Sequence, residues 1–151
     1  MRVTLVQPGI ASNFGNVLRS CACFGVPLSV IEPTGFPLAA KDVRRAAMDY
    51  GASVEMTRHA TWAAYRDALP GRRVLFTTRG AERLDRFALQ SGDHLVFGNE
   101  SSGVPDAVHE SCEARVAVPI RGRSLNLSNT VAIALFEALR QGRLPSADGL
   151  A

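Results

Sequence analysis

Short apolar, β-branched runs alternate with helical patterns along the whole chain. Runs of this kind predict strands over residues 3–6, 28–31, 53–57, 72–78, 94–97 and 115–118. Apolar positions at helical spacing predict helices over residues 16–24, 39–50, 62–69, 105–112 and 127–141, with a short helix between the strands at 72–78 and 94–97. Strands alternating with helices are typical of a mostly parallel sheet flanked by helices. We therefore predict an α/β fold with a single domain spanning residues 1–151.

Asparagine, serine and glycine residues predict where the first helix begins and ends and where the last helix begins. Gly25 is expected to end the first helix, because glycine readily adopts the left-handed conformation found at that position. Asn13 or Asn16 is expected to cap the beginning of that helix, and Asn126 or Ser128 the beginning of the last one.

Length and composition are those of an ordinary globular protein. A chain of 151 residues with 46% apolar and 21% charged residues can bury a core without disulfide or metal staples. No apolar run approaches the roughly 18 residues of a membrane span, and Pro8 interrupts the N-terminal segment too early for a secretory signal. We expect a cytoplasmic protein whose residues 146–151 form a frayed tail.

The cysteines and histidines show no spacing that indicates chemistry. Cys21 and Cys23 form neither a disulfide framework nor a CxxC site, so we expect all three cysteines to be reduced, buried thiols. The three histidines lack the spacing of metal ligands, and the chain has no GxSxG motif. Neither a metal site nor acyl-transfer chemistry is therefore expected.

Positive charge is carried almost entirely by arginine. The net charge is +3, and 16 of the 17 basic residues are arginine. Genomic base composition is one explanation, and phosphate recognition is another, because the guanidinium fork matches phosphate oxygens. Arg44 and Arg45 fall on the polar face of a predicted helix. They could bind phosphate, but solvated surface charge is the ordinary interpretation of such residues.

Three loops rich in glycine and polar residues stand out at residues 12–16, 98–103 and 121–129. Parallel sheets bind ligands in loops beyond the carboxyl ends of their strands. The glycine spacing of residues 98–103 resembles a phosphate-binding loop, but Val104 and Pro105 replace the required Lys and Ser/Thr. No GxGxxG motif follows the first strand, which argues against a nicotinamide dehydrogenase. The middle loop is therefore either a tight connection or a place where a ligand approaches the backbone.

Arg19 lies near the expected beginning of the first helix. A cation there opposes the positive end of the helix dipole. The arrangement is favourable if the guanidinium and free N–H groups share an anion, such as a backbone phosphate. Residues 121–129 likewise hold more polar side chains than one helix cap needs. Both loops are candidates for ligand binding, with simple capping as the alternative.

Together these loops resemble the three sequence motifs of the SPOUT class of RNA methyltransferases. The motifs are N-x-G-N-x-x-R at residues 13–19, F-G-x-E-x-x-G-x-P at residues 97–105, and R-S-L-N-L-S-N at residues 123–129, followed by the last helix. The members of this class that methylate the ribose at position 34 of tRNA are also similar to this chain at segments 31–36, 44–50 and 57–59. The match runs in order over residues 7–141.

The resemblance implies a fold and a reaction. The fold would contain a deep C-terminal trefoil knot, which general topology rules would not predict, because threaded chains are almost absent from proteins. The protein would be a homodimer that uses S-adenosylmethionine to methylate the ribose 2′-hydroxyl of nucleotide 34 of tRNA, a cytidine or modified uridine, and releases S-adenosylhomocysteine. No metal or membrane would take part. Two alternatives stay open: another tRNA or ribosomal RNA position, and a non-catalytic RNA- or nucleotide-binding module.

The resemblance also assigns candidate site residues. Those around the acceptor ribose are Arg19, Asn13, Glu100, Ser124 and Asn126. Those around the cofactor are Phe76, Thr77, Thr78, Gly98, Asn99, Gly103, Val118, Ile120, Ser124 and Leu125. Those that would hold RNA are Arg123, Arg58, His59, Arg44 and Arg45. A guanidinium is essentially never deprotonated, so we expect Arg19 to clamp phosphate and hydroxyl rather than act as the base assigned to it in this family.

Two apolar residues of the last helix, Ile133 and Phe136, lie away from its main apolar stripe. They predict either a partner surface or extra burial within one subunit. A dimer would let Arg19 of one subunit approach the cofactor site of the other, as the resemblance implies.

Overall fold

Alternating strands and helices make up the regular structure. The computed structural model describes residues 1–79 and 82–145, so the predicted tail at 146–151 lies outside the described residues. The strands are β1 (Arg2–Val6), β2 (Leu28–Ile31), β3 (Met56–His59), β4 (Arg73–Phe76), β5 (Glu82–Arg83), β6 (His94–Phe97) and β7 (Ala114–Ala117). The helices are α1 (Ala11–Phe24), α2 (Lys41–Ala47), α3 (Trp62–Ala68), α4 (Asp106–Ser111) and α5 (Leu127–Arg140). Two 3₁₀ turns occupy Met48–Ser53 and Leu84–Arg86.

The seven described strands form one sheet in the order β3-β2-β1-β6-β4-β7-β5. Every neighbouring pair is parallel, which confirms the predicted α/β fold with helices around a parallel sheet. Because parallel strands run in one direction, the loops that follow β1, β4, β6 and β7 meet at the same edge of the sheet. Loops that are distant in sequence can therefore line one site.

Apolar side chains cover both faces of the sheet. Val3 and Leu5 of β1 belong to a core that includes Val17 of α1 and Leu135 of α5. Val6 of the same strand belongs to a second core, formed with residues of α3 and α4 on the opposite face. Burial on both faces explains why the strands appear in the sequence as continuous apolar runs. The sheet is thus a rigid support for the loops at its edge.

A buried polar cluster lies between the sheet and α3. The Tyr65 hydroxyl forms hydrogen bonds with Thr4 Oγ1 at 2.9 Å and with His94 Nδ1 at 2.5 Å. Burial, followed by the charges of Arg73 and Arg2, lowers the pKa of His94 to about 4, so its ring is neutral in the fold. Burial also raises the pKa of Tyr65 to about 12. His94 is the first residue of β6, which places it at the edge of the sheet opposite the ligand loops.

Helix α1 begins five residues earlier than predicted. It starts at Ala11, so Asn13 and Asn16 lie in its first turns and the prediction that one of them caps it is wrong. The capping position belongs to Ile10, whose side chain makes no capping hydrogen bond. Arg19 is consequently in the middle of α1, and the expectation that it lies near the helix beginning is also wrong.

The other predicted boundaries of helices and strands agree with the structure at some positions and differ at others. Gly25 ends α1 with a φ of 64°, and Asn126 caps α5, as predicted. Helix α2 ends three residues early, at Ala47, because Met48 adopts a φ of 51° and begins a 3₁₀ turn. Strand β3 begins at Met56 rather than residue 53, and β5 with a 3₁₀ turn occupies the described part of the segment where a short helix was expected.

The cysteines differ from their prediction in one respect. Cys21 and Cys112 are buried, but Cys23 is exposed, because two residues along a helix lead to its opposite side. Among the described residues, no helix is long and apolar enough to cross a membrane. In the same part of the chain, no group of three or more His, Cys, Asp and Glu side chains could hold a metal ion.

Candidate functional site

The loops after β4, β6 and β7 enclose a cavity of about 850 Å³ at the carboxyl edge of the sheet. Every residue assigned by resemblance to the cofactor lines this cavity, namely Phe76, Thr77, Thr78, Gly98, Asn99, Gly103, Val118, Ile120, Ser124 and Leu125. The cavity is also lined by Asn13, Glu100, Asn126 and Arg123. The first motif lies on α1, so the prediction of a loop over residues 12–16 is wrong, but the three motif segments share one cleft.

Asn13 connects the three motif loops through its side-chain amide. Its Nδ2 donates a hydrogen bond to Glu100 Oε1 at 3.0 Å. Its Oδ1 accepts a hydrogen bond from Asn126 Nδ2 at 2.8 Å. Asn13 is itself buried on α1, so a residue that the sequence suggested as a helix cap is a bridge between two distant loops.

Glu100 holds the beginning of α1. Its Oε2 accepts a hydrogen bond from the Gly9 backbone N–H at 2.8 Å, and its Oε1 accepts one from Ile10 at 3.3 Å. A carboxylate at this end of a helix also complements the helix dipole. This tertiary contact fixes the two residues that lead into α1, although the helix has no side-chain cap of its own.

Gly9 is a site residue that sequence reasoning did not find. A Cβ atom at Gly9 would lie 2.8 Å from Asn99 Nδ2 and 3.2 Å from Glu100 Oε2, so a side chain here would displace these two groups. The available signal was the Pro8-Gly9 pair directly after β1, at the edge of the sheet where ligand loops gather.

The loop at residues 98–103 is held closed by its own hydrogen bonds. The Asn99 N–H donates to Gly103 O at 2.8 Å, and the Gly103 N–H donates to Asn99 O at 2.9 Å. Asn99 Oδ1 accepts from the Ser101 N–H at 3.0 Å, while Asn99 Nδ2 donates to Gln7 O at 2.9 Å. A Cβ at Gly98 would lie 2.5 Å from the Gly103 carbonyl carbon. The loop is therefore preformed before any ligand binds.

Asn126 performs two tasks at the beginning of α5. Its Oδ1 caps the helix by accepting hydrogen bonds from the N–H groups of Ser128 at 2.9 Å and Asn129 at 3.4 Å. Its Nδ2 donates to Asn13, as described above. Capping leaves the amide nitrogen free to join α1, so one side chain orients both the helix and the loop that precedes it.

Two charged residues at the cavity were also missed by sequence reasoning. Arg79 follows Thr77 and Thr78 on the loop after β4, and Asp106 begins α4. Their side chains pair at 3.5 Å and are both well exposed. The Thr-Thr-Arg run after an apolar strand was the signal, since it places a cation at the carboxyl edge of the sheet.

Arg19 does not line the cavity of its own chain. Its side chain is exposed on α1, with the guanidinium carbon 5.7 Å from the centre of the Tyr50 ring. The structure thus brings together four of the five residues assigned to the ribose, and leaves Arg19 on a separate surface.

The residues assigned to RNA are distributed over two surfaces. Arg123 is exposed at the cavity, whereas Arg44 and Arg45 are exposed on α2. Arg58 is exposed and hydrogen-bonds Glu32. His59, by contrast, is only 8% exposed, so its placement offers no support for contact with RNA.

His59 packs edge-on against the Tyr65 ring, with 5.2 Å between ring centres. Burial and then the charge of Arg2 lower the pKa of His59. Its surroundings are those of a core residue behind the exposed Arg58 rather than of a surface ligand.

Comparison with known proteins agrees with this architecture. The chain matches the SpoU rRNA Methylase family over residues 1–136. It is 45% identical over 144 residues to a tRNA (cytidine(34)-2′-O)-methyltransferase from Beijerinckia indica subsp. indica, and the alignment covers 92% of this chain and 90% of that protein.

Solved structures show the same fold. One solved structure, which concerns the 2-OH methylation of C/U34 on tRNA, has a TM-score of 0.89 and is 40% identical in sequence. The match covers 93% of this chain and 94% of that one. The SpoU methyltransferase AviRb from Streptomyces viridochromogenes, in complex with the cofactor AdoMet, has a TM-score of 0.86 at 25% identity, covering 94% of this chain and 57% of that one. The family match, together with near full-length likeness to these proteins, shows that this chain belongs to the SpoU rRNA Methylase family.

Proposed function

We propose that this protein transfers a methyl group from S-adenosylmethionine to the ribose 2′-hydroxyl of nucleotide 34 of tRNA, a cytidine or modified uridine. The observation that carries the proposal is the Asn13 bridge, which joins the three motif loops around one cavity. The reaction named for the Beijerinckia relative, at 45% identity, supports the same substrate. Such a reaction would take place in the cytoplasm, where tRNA is processed.

The cavity suits S-adenosylmethionine in size and lining. Its volume of about 850 Å³ lies within the range of small-molecule sites. Phe76, Val118 and Leu125 offer apolar walls for a purine ring, and the preformed loop at 98–103 offers backbone groups for the polar parts. When bound, the cofactor supplies a methyl group on a positively charged sulfur, and a neutral thioether remains once the ribose oxygen has taken that methyl. AviRb, of the same family, holds this cofactor.

Asn13, Glu100 and Asn126 orient the acceptor ribose by holding the motif loops in fixed positions. Each of the two asparagine amides uses one N–H within the bridge and keeps a second N–H for substrate. Ser124 lines the same cavity two residues before Asn126 and is exposed to an incoming sugar. Holding the hydroxyl oxygen in line with the methyl group can supply roughly 7–11 kcal/mol of the barrier reduction.

Arg19 acts as a clamp on the phosphate and hydroxyl beside the reacting oxygen. A guanidinium fork can bind two oxygens at once, and the hydroxyl proton passes to a phosphate oxygen or to water. An Arg19→Lys variant tests the fork, because lysine keeps the charge but not the planar geometry. We expect it to lose most of its turnover, and full turnover in that variant would exclude the clamp.

A homodimer accounts for the position of Arg19 outside the cavity of its own chain. Ile133 and Phe136 expose 38% and 60% of their surface on α5, which suits a partner surface. In such a dimer Arg19 would serve the cavity of the partner subunit. Mixing Arg19→Ala chains with Ser124→Ala chains tests this arrangement, because hybrids should regain activity in one of their two sites, whereas either variant alone should keep only a small residual rate.

The C-terminal segment is proposed to be threaded as a trefoil knot. The end of α5 is tied to the segment ahead of β6, since Gln141 Oε1 accepts from the Leu89 N–H and Gln141 Nε2 donates to Phe87 O, both at 2.9 Å. These bonds hold the end of α5 against an earlier segment of the chain, an arrangement that a threaded chain can also have.

Exposed arginines are proposed to hold the RNA backbone. Arg123 at the cavity is the leading candidate, followed by Arg58 and then Arg44 and Arg45, which lie on α2. Arginine suits this role because its planar fork matches phosphate oxygens.

Methylation of purified tRNA tests the proposed function. The protein is incubated with S-adenosylmethionine and total tRNA from cells that lack it, and methylated riboses are mapped by position. We expect one new methyl group, at position 34, and none on tRNA carrying a 2′-deoxynucleotide there. Methylation elsewhere would indicate a different position in tRNA. RNA binding without heat of S-adenosylmethionine binding in calorimetry would favour a non-catalytic module.

A further inference from the structure

The guanidinium of Arg19 is held by one aromatic ring. Its central carbon lies 5.7 Å from the centre of the Tyr50 ring, within the range of a cation–π interaction. Among the described residues, no hydrogen bond or ion pair restrains this side chain. The direction in which Arg19 points is therefore set by its contact with Tyr50.

Close packing of α1 on α2 brings Tyr50 to Arg19. A Cβ at Gly15 would lie 2.6 Å from both Ala46 Cβ and Val43 O, so the two helices touch where α1 has no side chain. Gly15 and Arg19 are four residues apart and lie on the same side of α1. The chain that leaves α2 therefore passes beside Arg19.

The backbone after α2 turns sharply to place Tyr50. Met48 adopts a φ of 51°, which is unfavourable for a residue with a side chain, and begins the 3₁₀ turn that contains Tyr50. The turn is held from within by Ser53, whose hydroxyl donates to Tyr50 O at 2.7 Å. Strained backbone of this kind persists where the surrounding structure requires it.

The Tyr50 side chain lies partly in solvent. It is 42% exposed, and its hydroxyl makes no hydrogen bond to the described part of the chain. The ring lies under the guanidinium of Arg19.

We infer that Tyr50 is a positioning residue for Arg19. The Tyr50 ring lies against the Arg19 guanidinium and presents it to the phosphate beside the acceptor ribose. This inference rests on the proposed function, in which Arg19 clamps that phosphate. A long, exposed arginine loses rotamer freedom when it binds, and a ring that restrains it beforehand lowers that loss. Gly15 and the turn at Met48 serve to bring the ring there.

Turnover of matched variants tests the inference. Tyr50→Phe keeps the ring and should keep wild-type kcat, whereas Tyr50→Leu should lower kcat about two- to fivefold, as expected for one exposed cation–π contact. Affinity for S-adenosylmethionine and Tm should match wild type in both variants. Equal kcat in Tyr50→Leu and wild type, or equal loss in Tyr50→Phe and Tyr50→Leu, would overturn it.

A double-mutant cycle separates positioning from direct contact with RNA. In an Arg19→Ala background, measured in single turnover at high enzyme concentration, Tyr50→Leu should cause no further loss, because the side chain it positions is absent. A further two- to fivefold loss in that background would show that Tyr50 acts independently of Arg19, against the inference.

The Arg19 Nε–H resonance gives a readout that does not depend on activity. It is assigned by its disappearance in Arg19→Lys. The Tyr50 ring current should shift this resonance upfield in wild type and Tyr50→Phe, and the shift should vanish in Tyr50→Leu. A resonance unchanged by Tyr50→Leu would refute the contact, whereas absence of methylation by the wild-type protein would refute the proposed function and leave the contact itself measurable.

Discussion

Asn126 and Asn13 are 113 residues apart in the chain, yet the Asn126 amide donates a hydrogen bond to Asn13 Oδ1 at 2.8 Å. Asn13 in turn donates a hydrogen bond from Nδ2 to the carboxylate of Glu100. Two hydrogen bonds therefore join the beginnings of α1 and α5 to the loop after β6. A disturbance at any one of the three residues should reach the other two.

The Asn13 bridge should contribute measurably to stability. Asn13→Ala removes the hydrogen bond from buried Asn13 to Glu100 Oε1 and the one from Asn126 Nδ2 to Asn13, so the free energy of unfolding should fall by about 1–3 kcal/mol. Asn16→Ala changes an exposed asparagine of the same helix and should stay within about 0.5 kcal/mol of wild type. Urea denaturation measures both, and equal effects in the two variants would contradict the bridge.

The cofactor loop should tolerate no side chain at Gly98. A Cβ there would lie 2.5 Å from the Gly103 carbonyl carbon, so Gly98→Ala should distort the loop and weaken S-adenosylmethionine binding by at least tenfold. Gly122→Ala is the matched control, because a Cβ at Gly122 meets nothing within 4 Å. Calorimetry measures both affinities. Unchanged affinity in Gly98→Ala would show that the loop does not hold the cofactor.

Stability should fall as the pH drops below about 6.5. The pKa of His94 is lowered from its usual 6.5 to about 4 in the fold, so between these values the unfolded chain takes up a proton that the folded chain does not. Stability from this group is complete above the unfolded pKa and is lost as the pH falls towards the folded pKa. The free energy of unfolding should be about 2 kcal/mol lower at pH 5 than at pH 8.

His94→Gln is the control for this pH dependence, because glutamine keeps a polar partner for Tyr65 but does not titrate. The lowered pKa of His59 contributes in the same direction and should account for a residual slope. Denaturation of the two proteins at both pH values measures the difference. A pH dependence of equal size in wild type and His94→Gln would exclude His94 as its source.

One cysteine should react readily in the folded protein. Cys23 is exposed, whereas burial raises the pKa of Cys21 to about 12 and that of Cys112 to about 11, which keeps both as unreactive thiols. Brief treatment with a maleimide should therefore add one label per chain, read by mass spectrometry. Cys23→Ser should take up none. Labelling of that variant at the wild-type rate would mean that the buried thiols are accessible.

The exposed apolar surface of α5 should hold the proposed dimer together. Phe136→Asp places a charge on a side chain that is 60% exposed in the single chain, so folding should survive while association fails. Light scattering should give the mass of one chain for this variant. Phe136→Leu, which stays apolar, should keep the mass of two chains. A wild-type protein with the mass of one chain would exclude the dimer.

Residue patterns alone predict the order and type of most elements and the segments that carry chemistry. Parallel strands buried on both faces leave continuous apolar runs, and helices leave a period of 3.6, so both are visible locally. The predicted boundaries of β2 and β6 agree with the structure, as does the Asn126 cap, because each depends on neighbouring residues alone. The three motif loops were recognisable for the same reason.

Features that depend on contacts between distant residues become visible only in the folded chain. The residue before α1, Ile10, donates its N–H to Glu100, which is 90 residues away in the chain. Arg19 faces Tyr50 rather than the cavity because α2 packs on Gly15. Local patterns cannot show such contacts, because hydrogen bonds and packing between distant segments form only when the sheet sets its loops side by side.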